Sequence, residues 1–254
     1  MESVHSDAVI SRVTEGQWRA VADDREVGRA DASRRPDGRI FVSVDAWHGA
    51  VFDRLAAAML AELPRPLHTM VDGSDLDTTA RWERAGLSVR RREWLYQMAT
   101  GPRSDAGPPP AGITLLPVGA AEEGPLREAD TAIRAEIEAT VGWAAMPFEM
   151  PTRPVGAPLD PSWYAVAAGP DRYEGLVRVV TRRRHARIGL VAVRADRRRR
   201  GIARALLVDL LAALHRDGID TASADIDESN RAAAALFDGI GGRRVGSALE
   251  LVIR

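Results

Sequence analysis

The segment "VAVRADRRRRGIARALL", Val191 to Leu207, sets four arginines before a glycine and then resumes an apolar helical pattern. A strand that hands over to a helix through a short turn leaves the first N–H groups of the helix unpaired. Those donors and the positive end of the helix dipole favour an anion, phosphate above all. Gly201 lets an anion approach the backbone, and Ala203 keeps the first turn thin. The flanking guanidinium groups add charge and forked donors. These residues describe a pyrophosphate cradle. A nucleic-acid reading of the same arginines is disfavoured, because 35 Lys plus Arg against 36 Asp plus Glu leave a net charge of −1 and no chain-wide attraction to a polyanion.

The cradle needs a strand before it and a helix after it, and the second half of the chain supplies both. "ITLLPV" from Ile113 reads as a strand and "LREADTAIRAEIEATVGW" from Leu126 as a helix. "WYAVAAG", "YEGLVRVV" and "ARIGLVAV" read as an antiparallel meander. "ARALLVDLLAALHRDG" is a helix stopped by Gly218, "IDTASADID" a strand, "SNRAAAALFDGIGG" a helix and "GSALELVIR" a last strand. The order is β-α-βββ-α-β-α-β. In the first half, "QWRAVADD", "GRIFVSVDA", "LHTMVDG" and "VRRREWLYQM" read as strands, with "GAVFDRLAAAMLAEL" and "TTARWERAG" as helices. That pattern echoes the end of the second half, with Gly49 opposite Gly201, Trp82 opposite Phe237 and Gly86 opposite Gly241. The Gly- and Pro-rich stretch 101–112 reads as a linker, which predicts an N-terminal domain over 1–100 and a catalytic domain over 113–254. The expected fold class is α+β, a mixed and mostly antiparallel central sheet flanked by helices, in two tandem units.

Arg198-x-x-Gly201-x-Ala203, with a strand before it and "RALL" after it, resembles the acyl-CoA loop of the GNAT superfamily of acyltransferases, and the resemblance covers about Ile113 to Arg254. Asn230-x-x-Ala233-x-x-Leu236-Phe237-x-x-x-Gly241 is similar to the family's second motif, which carries tyrosine where this chain has Phe237. The resemblance implies acetyl-CoA as co-substrate, without a metal, and direct transfer of its acetyl group to an amine, most simply a small molecule. It implies that the backbone of Val191 and Val193 pairs with pantetheine. It further implies that Arg198 opens the loop, that the amides of Arg199, Arg200, Gly201, Ile202, Ala203 and Arg204 hold the pyrophosphate, and that Asn230 and Phe237 lie along the cofactor. The family's tyrosine reprotonates the leaving thiolate; a phenyl ring has no proton to give. The carboxylate five residues before the asparagine is Asp225, the candidate base, with Asp227 on the same strand face as its competitor.

The acceptor is expected against the segment from Glu136 to Trp163, with Glu138, Trp143, Phe148 and Glu149 as its rim. The half without Arg or Gln three residues before Gly49 is not expected to bind acetyl-CoA productively. An alternative function, motivated by Phe237 and the eroded first half, is a non-catalytic acyl-CoA-binding or regulatory module. The five histidines show no paired metal spacing, and no cysteine is present to form a disulfide, a thiolate ligand or a nucleophile. The N-terminus carries no secretory pattern and no run approaches a membrane span, so the expectation is a cytoplasmic monomer or homodimer with no membrane or nucleic-acid partner.

Overall fold

The computed structural model describes residues 8–35, 37–101, 107–143, 146 and 158–254. In chain order its elements begin with β1 (Val9–Thr14), β2 (Gln17–Ala22), β3 (Arg25–Arg34), β4 (Ile40–Ala46), α1 (Gly49–Glu62), β5 (Leu67–Asp72), α2 (Leu76–Arg84) and β6 (Ser88–Ala99). They continue with β7 (Thr114–Leu116), α3 (Glu123–Glu138), β8 (Tyr164–Ala168), β9 (Tyr173–Arg182), β10 (His185–Val193), α4 (Ile202–Arg216), β11 (Thr221–Asp227), α5 (Arg231–Gly239) and β12 (Arg243–Ile253). This is the mixed, mostly antiparallel α+β arrangement expected. Two strands were not legible: β1, and β3, whose charged run hides a buried Gly28 and Ala30. The "DD" assigned to the first strand is instead the turn between β2 and β3, with Asp23 at φ 49° and Asp24 at φ 57°.

Contacts divide the chain into Met1–Glu93 with Gly246–Arg254, and Trp94–Val245. The stretch 101–112 therefore lies within the span of the second unit, while the last nine residues of the chain belong to the first. In the first unit the strand order is β1-β2-β3-β4-β5-β12-β6. The end of β12 runs antiparallel to β5, from Ala248↔Asp72 to Ile253↔Leu67. Val51, Leu55 and Met59 recur every four residues on α1 and are fully buried with Trp18, Leu67 and Leu251. Each such side chain removed from water stabilises by about 1.5–3 kcal/mol.

In the second unit the order is β6-β11-β10-β9-β8-β7, with Tyr96 and Met98 of β6 in its core. The helices α3 and α4 lie on opposite faces. Leu126, Ile133 and Ile137 of α3 pack with Leu176 of β9, whereas Leu206, Leu210 and Leu214 of α4 pack in the cluster that contains the adjacent Val177.

The duplication read from the sequence reaches the level of single hydrogen bonds. Asp72 accepts from the N–H (2.8 Å) and hydroxyl (2.6 Å) of Ser74, and Asp75 then caps α2 by accepting from Thr78 N–H at 2.9 Å. In the same pattern Asp227 accepts from the N–H (2.8 Å) and hydroxyl (2.5 Å) of Ser229, and Asn230 caps α5 by accepting from Ala233 N–H at 3.0 Å. Gly86 (φ 97°) and Gly241 (φ 78°), paired in the sequence alignment, both follow their helix in the left-handed region.

Candidate active site

The β10–α4 connection is built to leave donors open. Arg199 (φ 60°) and Gly201 (φ 82°) both take left-handed backbone, and α4 starts at Ile202 with no side-chain cap. A Cβ at position 201 would meet nothing closer than Pro110 Cγ at 3.9 Å, so space is available over the turn. Ile202 is buried and Ala203 half-buried, so the first turn is anchored from beneath.

Carboxylates fix the ascending limb of this loop, and sequence reasoning missed them. Glu136 of α3, the first residue of the segment against which the acceptor is expected, accepts from Arg194 Nε at 2.9 Å and from the Ala195 N–H at 2.8 Å, with Arg198 Nη2 at 3.6 Å. Glu174 of β9 is buried; Arg172 Nε lies 3.2 Å and Arg197 Nε 3.4 Å from its carboxylate, and its carbonyl accepts from Arg194 N–H at 2.9 Å. Arg198 Nε also donates to the Val193 carbonyl at 3.2 Å, and Arg204 donates to Gly239 O at 2.8 Å. Among the described residues, the arginines of this stretch with no partner within the protein are the exposed Arg199 and Arg200. The charge available to an anion is therefore theirs, and the motif arginine Arg198 is engaged in holding the loop.

Before the loop, the two parallel strands separate. β10 pairs β11 from His185↔Thr221 to Arg187↔Ser223, yet β10 continues to Val193 and β11 to Asp227. A bulge between Ile188 and Leu190 shifts the alternation of β10. Ala186 and Ile188, then Val191 and Val193, turn to the core of α4, whereas Leu190 and Ala192 turn to that of α3. The backbone at Val191 to Val193 thus lies past the last β10–β11 pair, Arg187↔Ser223.

Both candidate carboxylates lie in this region, with different employment. Asp225 forms an ion pair with Arg187. Asp227 is committed to the turn at Ser229, in the manner of Asp72 in the first unit, which marks it as a structural residue of the repeat. Asn230 is the helix cap and remains exposed. Phe237 is buried at 3%, its ring 5.8 Å from that of Tyr96. The neighbouring Tyr96 side chain is fully buried, and its hydroxyl oxygen accepts from Arg244 Nε at 2.8 Å.

Of the residues expected on the acceptor rim, Glu138 accepts from the Trp143 N–H at 2.7 Å, and the Arg134 guanidinium sits 4.1 Å from the Trp143 ring centre. That aromatic face is already taken by a cation of the protein. Phe148 and Glu149 lie outside the described residues. Among the described residues no cluster of His, Asp or Glu could hold a metal ion, and no helix is long and apolar enough to cross a membrane.

Residues 142–241 match the model of the acetyltransferase (GNAT) family. A search of the curated proteins found no match. Among solved structures, the chain is similar to a GCN5-related N-acetyltransferase from Sphaerobacter thermophilus, at 19% identity and TM-score 0.71, covering 96% of this chain and 82% of that one. It is also similar to a tandem GNAT protein from the clavulanic acid biosynthesis pathway, at 15% identity and TM-score 0.64, covering 93% and 82%. A third, a GCN5-related N-acetyltransferase from Kribbella flavida, has 15% identity and TM-score 0.59, with 96% and 89% covered. At these identities the likeness is one of fold.

Proposed function

From the premise that the chain carries a domain of the acetyltransferase (GNAT) family, we propose that its second unit transfers an acetyl group from acetyl-CoA directly to a small-molecule amine. The observation that carries this reading is the start of α4, uncapped, opened by left-handed Arg199 and Gly201, and braced by Glu136 and Glu174. Acetyl-CoA, when bound, supplies the activated thioester. The first-turn amides of α4 hold its pyrophosphate, Arg199 and Arg200 add charge, and the β10 backbone at Val191 to Val193 aligns the arm beside the gap between β10 and β11.

The amine nitrogen bonds to the acetyl carbon as the carbon–sulfur bond breaks. The proton lost by the amine passes to Asp225, directly or through a water, and the thiolate takes its proton from solvent because Phe237 has none to offer. To act as base, Asp225 must exchange its contact with Arg187 for one with the amine. Buried Phe237 also supports a second reading, an acyl-CoA-binding module without turnover.

Thermal unfolding with and without acetyl-CoA tests the shared premise. At a hundredfold excess over Kd a ligand stabilises by about 2.7 kcal/mol, and an unchanged transition would overturn both readings. Consumption of acetyl-CoA over an amine panel then separates them.

A further inference from the structure

The Arg187–Asp225 pair is an unexpected choice for a site that receives an amine. A guanidinium repels an ammonium ion and competes with it for the carboxylate. Resting on the acyl-transfer reading above, we infer that the acceptor brings a carboxylate as well as an amine, and that it belongs to the amino acids. Arg187 takes its carboxylate and Asp225 its amino group.

Position comes first. Arg187 is the last residue of β10 in register with β11, and Asp225 lies two residues past its partner Ser223. Strand alternation places Asp225 on the Ser223 face. This face is opposite to the one that sends Ala186, Ile188, Ala224 and Ile226 into the core of α4 and α5. It is therefore the face that α3 covers further along, where Leu190 joins the α3 core. The pair marks the point at which the strands part.

Next comes accessibility. The side chains retain 27% and 17% of their exposure, enough for a small ligand to reach both. Arg187 is also oriented: it donates to Ser223 Oγ at 3.1 Å, and that hydroxyl lies 2.8 Å from His185 Nε2, whose Nδ1 is 2.9 Å from Thr221 Oγ1. A guanidinium held by such a row presents its fork in a set direction, which suits a carboxylate.

The first unit shows that the fold does not require this pair. There β4 and β5 part after Phe41↔His68, and the positions corresponding to Arg187, Ser223 and Asp225 are Phe41, His68 and Met70. Phe41 stacks on His68 at 5.2 Å, with the guanidinium groups of Arg35 and Arg39 over its ring. In the first unit the charges gather instead on Glu250 of β12, which is fully buried, so an Arg–Asp pair carried by the two parting strands themselves belongs to the second unit.

Exchange of ions sets the size of the ligand. Because Arg187 and Asp225 touch, a ligand that replaces the internal pair by two external ones must carry its charges a few bonds apart, as an amino acid does. A simple amine would leave Arg187 without its carboxylate, and hydrogen bonds to charged groups are worth about 1.5–3 kcal/mol.

The test compares phenylalanine with phenethylamine, and leucine with isopentylamine, as acceptors and as ligands in calorimetry with and without acetyl-CoA. The wild type is expected to favour each amino acid by about 10- to 100-fold in kcat/KM or Kd. Arg187→Gln should reduce the ratio to near unity, and Arg187→Lys should restore part of it. Equal use or equal binding of acid and amine by the wild type overturns the inference, as does a preference that survives Arg187→Gln, or failure to bind either amino acid. Binding of acetyl-CoA without any amino-acid preference sinks this inference alone, whereas absence of acetyl-CoA binding sinks the reading beneath it.

Discussion

The starts of α1 and α4 are the same construction put to different use. Each follows a strand whose parallel neighbour diverges after a few residues, and each opens at a glycine. At α4, Gly201 adopts φ 82° and the space above it is free. At α1, His48 precedes Gly49 in extended conformation, and the guanidinium of Arg81, paired with Asp53 at 3.2 Å, occupies the space that a side chain at 49 would need. A cation seated over the helix start has replaced the room for an anion. Where the strands part, the first unit has a sealed charge cluster and the second an accessible ion pair. Backbone duplication has kept the caps and turns; a few side chains decide which helix start is left open.

The largest effect should come from asking whether the copies are separable. A fragment of residues 113–254 retains both motifs of the second unit but loses Trp94 to Ala99, and with them Tyr96 and Met98, which are 0% and 1% exposed in its core. Removing two large core side chains costs about 2–5 kcal/mol each, comparable with the whole stability of a domain. The fragment is expected to show no cooperative unfolding by circular dichroism. A fragment starting at Trp94 and ending at Val245 should regain it. A cooperative transition in the shorter piece would show that the copies divide at the linker after all.

A second, smaller effect concerns the sealed cluster. Glu250 is fully buried; burial pushes its pKa up, but the hydrogen bond to His68 and the guanidinium groups of Arg91 and Arg90 outweigh this and hold it at about 2, against an ordinary 4.5. His68 Nδ1 lies 2.9 Å and Arg90 Nη1 2.8 Å from one carboxylate oxygen, and Arg91 Nε 2.5 Å from the other. Because the folded pKa is depressed, the stability is fully present above about 4.5 and is lost as pH falls towards 2. A change of that size corresponds to about 3 kcal/mol. Urea unfolding followed by hydrogen exchange at β5 should show Glu250→Gln losing about this much at pH 7 and less at pH 3. An equal loss at both would mean that packing, not charge, holds the cluster.

These contrasts explain what was legible in the sequence. Helix–glycine–strand order shows in local periodicity, so α1, α4, α5 and the turn at Gly201 could be placed from residue types alone. The partners of the loop could not: Glu136 is 59 residues from the Ala195 amide it binds, and only the packing of α3 beside β9 and β10 brings them together. Arg187 was invisible for the same reason, since its meaning lies in Asp225 on the neighbouring strand. The exchange of β6 and β12 residues between units escaped because both strands look complete where they stand. The repeat of Asp72-x-Ser74-Asp75 in Asp227-x-Ser229-Asn230 was present in the letters, and it separates a turn carboxylate from a candidate base once the hydrogen bonds are seen.

The smallest and most discriminating effect is a pair of glycine substitutions. Gly201→Ala places an L residue at φ 82°, which costs about 1–2 kcal/mol and should reshape the turn that carries the open amides. Acetyl-CoA affinity in calorimetry is expected to fall about tenfold, as one or two of those hydrogen bonds are misaligned. Gly49→Ala meets first the far end of the flexible Arg81 side chain, whose displacement forfeits a half-exposed ion pair with Asp53 worth less than about 1 kcal/mol. Its melting temperature should barely move and its acetyl-CoA affinity should stay at the wild-type value. A matching loss of affinity in Gly49→Ala would mean that the first copy still takes part in binding, and the asymmetry between the two helix starts would have to be given up.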